Sequence, residues 1–532
     1  MLTATGLLSA YSGSHLPGLR EQVDQHVLEP IARVVCDTRP VTLRVVDADT
    51  GMPVPARITI TDAQGRPTRT YRARCATTAV RTGVVYSSQG ALSFELPPGE
   101  YSVYATRGLE WGLARARLSV GSKPGELTLP IRREVDTAGF VACDTHVHTQ
   151  TCSGHGDATI EERLVSLVGE GIEFAVATDH NHNTDYRPSQ IELGLDGRLV
   201  VVTGNEVTTD VAHFTAFPLD PTDSVPPSDL LDWDRLVDGM RRRGARVVVL
   251  NHPHWPTPES GPFAVTGLDR ARGDRRSRAR FLFDAMELVS SQFLVERPAD
   301  LLADWFALLN HGESIVVVGV SDSHTIAHPV GQGRTYVRSN ADDPAALEVQ
   351  ELYSNISAGR SSVSLGIFAD VRVSGLWGMG DVVPIGGDRV ELLLRVAAPS
   401  WIRPRRAEVY VDGSLVAQRE VPAATDTSTD VWMQFAIELR ASHDGWLVCV
   451  VTGDGVQGPW WPTEQPFTLA VTNPVYLDID GDGHYMSPRG TALTKLQELQ
   501  LKGAPMDKAR VPPECDAAVA AQFAQLLELR LF

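Results

Sequence analysis

Seven short apolar runs between residues 140 and 322 constrain this chain more than any other feature: FVACD, EFAVATD, LVVVTGNE, HFTAFPL, RVVVLNH, AMELVS and IVVVGVSD. Helical stretches fall between several of them, among them TIEERLVSLVGEG, DLLDWDRLVDGMRRRG and ADLLADWFALLNHG. Continuous apolar strands alternating with helices predict parallel strands covered on both faces. Seven of them in one stretch favour a closed or nearly closed β/α barrel spanning residues 138–365.

The flanks follow a different pattern. Residues 1–38 read as a helical lead-in, and residues 39–134 alternate polar and apolar positions between Gly, Pro and Asp turns, the pattern of a small β-sandwich. LPPGEYSVYATRG resembles the closing hairpin of transthyretin-like and carboxypeptidase-regulatory-like modules. Period-two alternation returns over 366–474, with a hairpin expected around Asp412-Gly413, and predicts a second β-sandwich. A loop and helices fill 475–532. The basic run from Arg270 to Arg280 reads as a solvated face or loop, with phosphate binding as the alternative.

Histidine carries the chemistry. Eleven of the 15 histidines lie between residues 146 and 328, about a third of the chain. Most sit at or just past the C-terminal end of an apolar run, the side on which barrel enzymes assemble their sites. CDTHVHT sends His146 and His148 the same way, because residues two apart on a strand share a face. TDHNH offers Asp179, His180 and His182; TGNEV offers Glu206; HFTAFPL begins with His213. LNHPH offers His252 and His254, and VSDSH ends with Asp322 and His324. Imidazole and carboxylate without thiolate suit two or three Zn, Mn or Fe ions.

The order HxHT…TDH…GxE…H…HP…SDxH resembles the PHP (polymerase and histidinol phosphatase) metallohydrolases, whose fold is a distorted seven-stranded β/α barrel. SGHGDATIEERL, ATDHNH, HFTAFPL, NHPH and GRTYV look closest to the carbaryl hydrolase (CehA/McbA) branch. The resemblance implies that His146, His148 and Asp322 hold one metal, with Glu206 bridging to a second completed by His213 and His252. It implies that His180 and His324 hold a third with one ligand from the loop after HVHT. There the sequence departs from the family, since Ser153 stands where an Asp is usual. His155 is the first choice for the missing ligand and Asp157 the second, although Asp157 lies just before a capping box, Thr159-x-x-Glu162.

The expected reaction is hydrolysis by a metal-bridging hydroxide, with Glu206 central and Asp322, His182 or His254 moving the proton. The branch implies a carbamate or carboxylic ester of a small molecule; the wider superfamily implies a phosphoester. A binding scaffold with a retired barrel is the reading from another class. Trp255 and Phe214, beside ligand motifs, favour an apolar slot. Glu287 is expected either to orient a ligand or to be a buried structural carboxylate, and Arg334 to face a developing oxyanion or form a salt bridge. Asp478, Asp480 and Asp482 mimic the first half of a calcium loop, but Arg489 stands where its closing Glu belongs, which favours a rigid turn.

A formal charge of −18 argues against a nucleic-acid-binding surface. No apolar run approaches the ~20 residues needed to span a bilayer. The N-terminus lacks a basic signal-peptide start, and six cysteines without a CxxC pair fit a cytoplasmic protein. Oligomeric state has no sequence signature here.

Overall fold

The computed structural model describes residues 37–71, 75–277, 279–291, 298–423, 428–439, 443–462, 467–503, 506, 510–513 and 515–530. Nearly all of the expected N-terminal helical segment lies outside them. The chain is a mixed α/β protein with many strands and few helices.

Eight strands come first: β1 (Arg39–Asp47), β2 (Ala56–Asp62), β3 (Thr78–Arg81), β4 (Val84–Ser87), β5 (Ala91–Leu96), β6 (Gly99–Thr106), β7 (Ala114–Val120) and β8 (Gly125–Ile131). They form two sheets, β5-β1-β8 and β3-β4-β2-β6-β7. Val41, Leu43, Ile58, Ile60, Val103 and Leu118 from both sheets fill one apolar core, which is why the period-two pattern is so regular.

The site is carried by β9 (Phe140–Val147), β10 (Phe174–Ala177), β11 (Val200–Thr203), β12 (Asn205–Thr208), β13 (His213–Phe217), β14 (Val247–Leu250), β15 (Ala285–Ser290), β16 (Val316–Val320) and β17 (Arg334–Arg338). These strands do not form the single parallel set expected. They fall in two sheets, one containing β11-β10-β9-β17 and the other ordered β12-β13-β14-β15-β16. Isolated bridges link them at Val147–Ser323 and His180–Glu206.

Two local features explain the difference. The LVVVTGNE run breaks at Gly204, giving β11 to one sheet and β12 to the other. A Cβ at Gly204 would lie 2.5 Å from Val176 Cγ1 and 3.0 Å from the Ala216 carbonyl, so the close approach admits only glycine. The HFTAFPL run, β13, is antiparallel to both β12 and β14. Only residues 209–212 separate β12 from β13, far too few for a parallel crossover, and Thr209 Oγ1 caps the turn by accepting from Ala212 N at 3.1 Å.

The expected helices are present at Ile160–Gly169, Trp233–Arg242 and Pro298–His311, and the Thr159–Glu162 capping box forms as read. β17 continues through β18 (Ser361–Leu365) to β26 (Phe467–Thr472), β25 (Gly445–Asp454), β22 (Pro404–Val411) and β23 (Ser414–Glu420) within one eleven-stranded sheet. The β22–β23 hairpin turns at Asp412 and Gly413, both at positive φ. A three-stranded sheet, β19 (Phe368–Val373), β21 (Arg389–Ala398) and β24 (Thr429–Glu438), completes this part. Helices Pro488–Leu501 and Ala517–Leu529 pack together through Leu496, Phe523 and Leu526. No helix of the described residues is long and apolar enough to cross a membrane.

In the basic run Arg270 pairs with Asp304, Arg272 with Glu528, Arg275 with Glu313 and Arg280 with Asp234, so these four charges are spent on separate carboxylates.

Candidate metal centre

Strand alternation past the end of β9 places the first donors, His146 and His148, and with Asp144 all three residues are fully buried. Asp144 fixes the neighbouring strand end: it accepts from Ser321 N at 3.1 Å and from Gly331 N at 2.7 Å, which places Asp322 beside the two histidines. The sequence reading missed Asp144, and the register shift of β9 between Asp144 and Val147 takes it out of simple period-two reasoning.

Three groups of potential ligand atoms form, each with its atoms within 4.8 Å of one another: His146, His148 and Asp322; Glu206, His213 and His252; and His148, His180 and His324. Glu206 lies at their junction. Its Oε2 faces His146 Nε2 at 3.4 Å, His148 Nε2 at 3.3 Å and His180 Nδ1 at 2.7 Å. Its Oε1 faces His213 Nδ1 at 3.0 Å and His252 Nε2 at 3.3 Å. Asn251, also missed in the sequence, orients this carboxylate by donating from Nδ2 to Oε1 at 3.0 Å.

The expected loop ligands stand differently. Asp157 is outside all three groups, because its Oδ2 takes Arg81 Nε at 2.9 Å and its Oδ1 accepts from Ile326 N at 2.8 Å. His155 is exposed and outside the groups as well; its ring stacks against those of His180 and His324, with centroids 4.9 and 4.5 Å apart. It is His148 that joins His180 and His324.

Three of the imidazoles have a polar partner at Nδ1, and for His180 this is the nitrogen that also faces Glu206. Glu287, whose carboxylate is buried, sits 2.6 Å from His146 Nδ1 and also accepts from His252 N at 2.8 Å. Ser153 Oγ lies 3.0 Å from His148 Nδ1, and Thr208 Oγ1 lies 2.8 Å from His180 Nδ1. Asp322 and His252 both adopt positive φ, 52° and 26°, an uncommon backbone state that clusters at functional sites.

The donor chemistry fits divalent metal ions. His146 Nε2 and His148 Nε2 lie only 2.9 Å apart, with their Nδ1 atoms beside Glu287 and Ser153. Glu206 Oε2 and Asp322 Oδ1 are buried in the same space without a hydrogen bond of ordinary geometry. Two imidazole nitrogens and two carboxylate oxygens converging in a dry site fit a cation of the zinc, manganese or iron type. Burial and the neighbouring His324 hold His148 well below the ordinary histidine pKa, and burial with His155 does the same for His324, so both rings are neutral donors. Burial opposes charge on His146, but Asp322, Glu206 and Glu287 outweigh it and raise its pKa well above the usual value. Burial pushes the Asp322 carboxyl up to about 7.

The remaining candidates lie around this centre. His182 is exposed and bonded through Nδ1 to Thr184 Oγ1 at 3.0 Å. His254 directs Nε2 at Asp304 Oδ2, 2.6 Å away on helix Pro298–His311. Arg334 faces no oxyanion position and forms no salt bridge among the described contacts; its guanidinium donates to the Gly331 and Glu170 carbonyls. Phe214 is core, packed on Trp233 and Phe283, whereas Trp255 is 38% exposed with its ring 5.4 Å from that of His252 and 5.7 Å from that of His213. At the acidic loop, oxygens of Asp444, Asp478 and Asp480 converge, while Asp482 turns to His484 N at 2.8 Å and stays outside.

No family model matches the chain, and no curated protein matches it. Among solved structures it is similar to a two-domain protein from Bacteroides vulgatus described as containing a predicted PHP-like metal-dependent phosphoesterase. The identity is 13% and the TM-score 0.34, over 64% of this chain and 97% of that one.

Proposed function

We propose that this protein is a metal-dependent hydrolase of the PHP type, in the carbaryl hydrolase (CehA/McbA) branch, acting on a carbamate or carboxylic ester of a small molecule. In this reading residues 138–365 are a distorted barrel between two β-sandwich domains. The observation that carries the proposal is the position of Glu206, whose two oxygens face five histidines drawn from four strand ends.

His146, His148 and Asp322 would hold one ion, Glu206, His213 and His252 a second, and His148, His180 and His324 a third. Bound divalent ions supply Lewis acidity and lower the pKa of water near neutral pH. The chain's own residues do the rest. Asn251 and Glu287 fix the carboxylate and imidazole orientations, and the buried strand ends exclude bulk water. Asp322, whose carboxyl burial pushes up to about 7, would take the proton released by the nucleophilic water on the oxygen not used to hold an ion. His182, exposed beyond the ligand groups, passes it to solvent or to the leaving group.

Trp255 favours the carbamate or ester reading over the phosphoester one, since it gives the His213–His252 side an accessible aromatic wall. Arg163 and Arg334, the large buried cations nearby, are both committed to carbonyl groups, leaving them unable to clamp a phosphate. The test is a hydrolysis screen of metal-reconstituted protein setting aryl carbamates and esters against phosphomonoesters and diesters. Turnover confined to phosphoesters would reverse the substrate assignment, and well under one metal per chain would identify a retired scaffold.

A further inference from the structure

Asp157 loses its expected place as a ligand for a reason that reaches into the first pair of sheets. Arg81, at the end of β3, donates from Nε to Asp157 Oδ2 at 2.9 Å and forks onto Glu162 at 3.0 and 2.8 Å. It also donates to the Asp157 carbonyl. Glu162 is the third residue of helix Ile160–Gly169 and one half of its capping box. One guanidinium therefore ties β3, the 153–158 loop and the helix start together. The three side chains are only 24–32% exposed, which makes this a better-shielded network than a surface pair.

From Asp157 the linkage continues to His324. Asp157 Oδ1 accepts from Ile326 N at 2.8 Å, and Asp157 N donates to the His324 carbonyl at 3.1 Å. Gly156, at φ +86°, lies so close that a Cβ there would sit 2.4 Å from the same carbonyl. Below the polar contacts, Ala79, Val84 and Tyr86 of the hairpin share an apolar core with Ala158, Val165 and Ile326. Above them, His155 lays its ring against those of His180 and His324.

Resting on the metal-centre reading above, we infer that the β3–β4 hairpin, through Arg81 and Asp157, is the positioning element for the His148–His180–His324 group. Arg81 acts by geometry: its charge is matched by two carboxylates, so its field at the centre is small, whereas its planar fork fixes where the loop stands. The Glu206–His213–His252 group is held by Asn251 from β14's end and receives no contact from the hairpin among those described. The effect of Arg81 is therefore selective for one group of the three.

The test is Co(II) titration of the metal-free full-length protein, read by visible absorption and by elemental analysis after buffer exchange. In R81A the chain is expected to bind one ion fewer than the parent while the remaining ions bind with unchanged affinity. R81K, which keeps the charge and loses the fork, is expected to behave like R81A. Val103→Ala, in the buried core of the same sheets, controls for general loosening: it should lower the melting temperature of the metal-free protein and keep the full complement of ions. A full complement at parental affinity in R81A overturns the proposal, as does an equal loss of ions in Val103→Ala. A parent protein that binds no Co(II) overturns the metal-centre reading itself and removes the basis for this one.

Discussion

The hydroxyl of Ser153 lies 3.0 Å from Nδ1 of His148. The same oxygen is 2.8 Å from Asp179 Oδ1, and a hydroxyl has one hydrogen to give. The carboxylate can only accept, so Ser153 donates to Asp179 and accepts from His148 Nδ1–H. That assignment leaves Nε2 of His148 unprotonated toward the centre. Ser153 thus sets which nitrogen of His148 is free to face His180 and His324. Ser153→Ala is expected to weaken metal binding about 10–100-fold, the usual cost of losing a hydrogen bond that orients a ligand. Competition against a chelator measures it; parental affinity in the variant would sink the tautomer argument.

Glu206 faces histidines of all three groups, so its replacement should not be a local event. Glu206→Gln places an amide where the structure needs an acceptor on both sides. The variant is expected to lose ions from more than one group and turnover by well over the ~10–100-fold of an indirect contact. Elemental analysis alongside initial rates checks both. Near-parental activity would rule out Glu206 as the common ligand.

Arg163 is completely buried, donating to the His148 carbonyl at 2.9 Å, to the Ser323 carbonyl at 2.8 Å and to Ser323 Oγ at 3.0 Å. It clamps the ends of β9 and β16, which carry four of the candidate ligands. Arg163→Met takes the side-chain donor from the His148 carbonyl and leaves the Ser323 carbonyl only its bond from His148 N, and it is expected to cost about 2–5 kcal/mol of stability. Denaturant melts of the metal-free protein measure this loss separately from any change in metal binding.

Glu173 gives a pH signature away from the centre. Burial, then the nearby Glu110, push its pKa from 4.5 up to about 7. Folding therefore favours its protonated form. The resulting stabilisation is complete below about 4.5 and is lost as pH rises through about 7. Glu173→Gln keeps an oxygen for Ala142 N, which Glu173 Oε2 meets at 2.9 Å, and removes the titration. The variant should show a flatter melting temperature between pH 5 and 8 and be relatively more stable at the upper end. A parallel downward shift at every pH would assign the residue a purely steric role.

The inner histidines were legible because strand parity and strand ends are local properties: HVH and SDSH point where they must once the apolar runs are strands. The direction of β13 was also written locally, in the four residues before His213, but a pattern of apolar runs carries no direction by itself. Asp157 and Ser153 could not be placed from their neighbours. One is captured by Arg81, 76 residues earlier in another sheet, and the other by Asp179, 26 residues later at the end of β10. Both are polar side chains whose partners arrive only with the tertiary fold.

Trp255 offers the sharpest test of substrate class. It is 38% exposed, and its ring keeps close contact with His252 and His213. Aromatic pairs contribute about 0.5–1.5 kcal/mol beyond area burial, and roughly 1.4 kcal/mol is tenfold in affinity. For an aryl ester or carbamate, Trp255→Ala is expected to raise KM about tenfold and change kcat by less than about threefold, because stacking acts on ground and transition states alike. Trp255→Phe should recover most of the difference, and an alkyl ester should be nearly indifferent to both changes. If aryl and alkyl substrates suffer equally, Trp255 supports the His252 loop and does not select the substrate, and the aromatic wall carries no weight in favour of aryl esters.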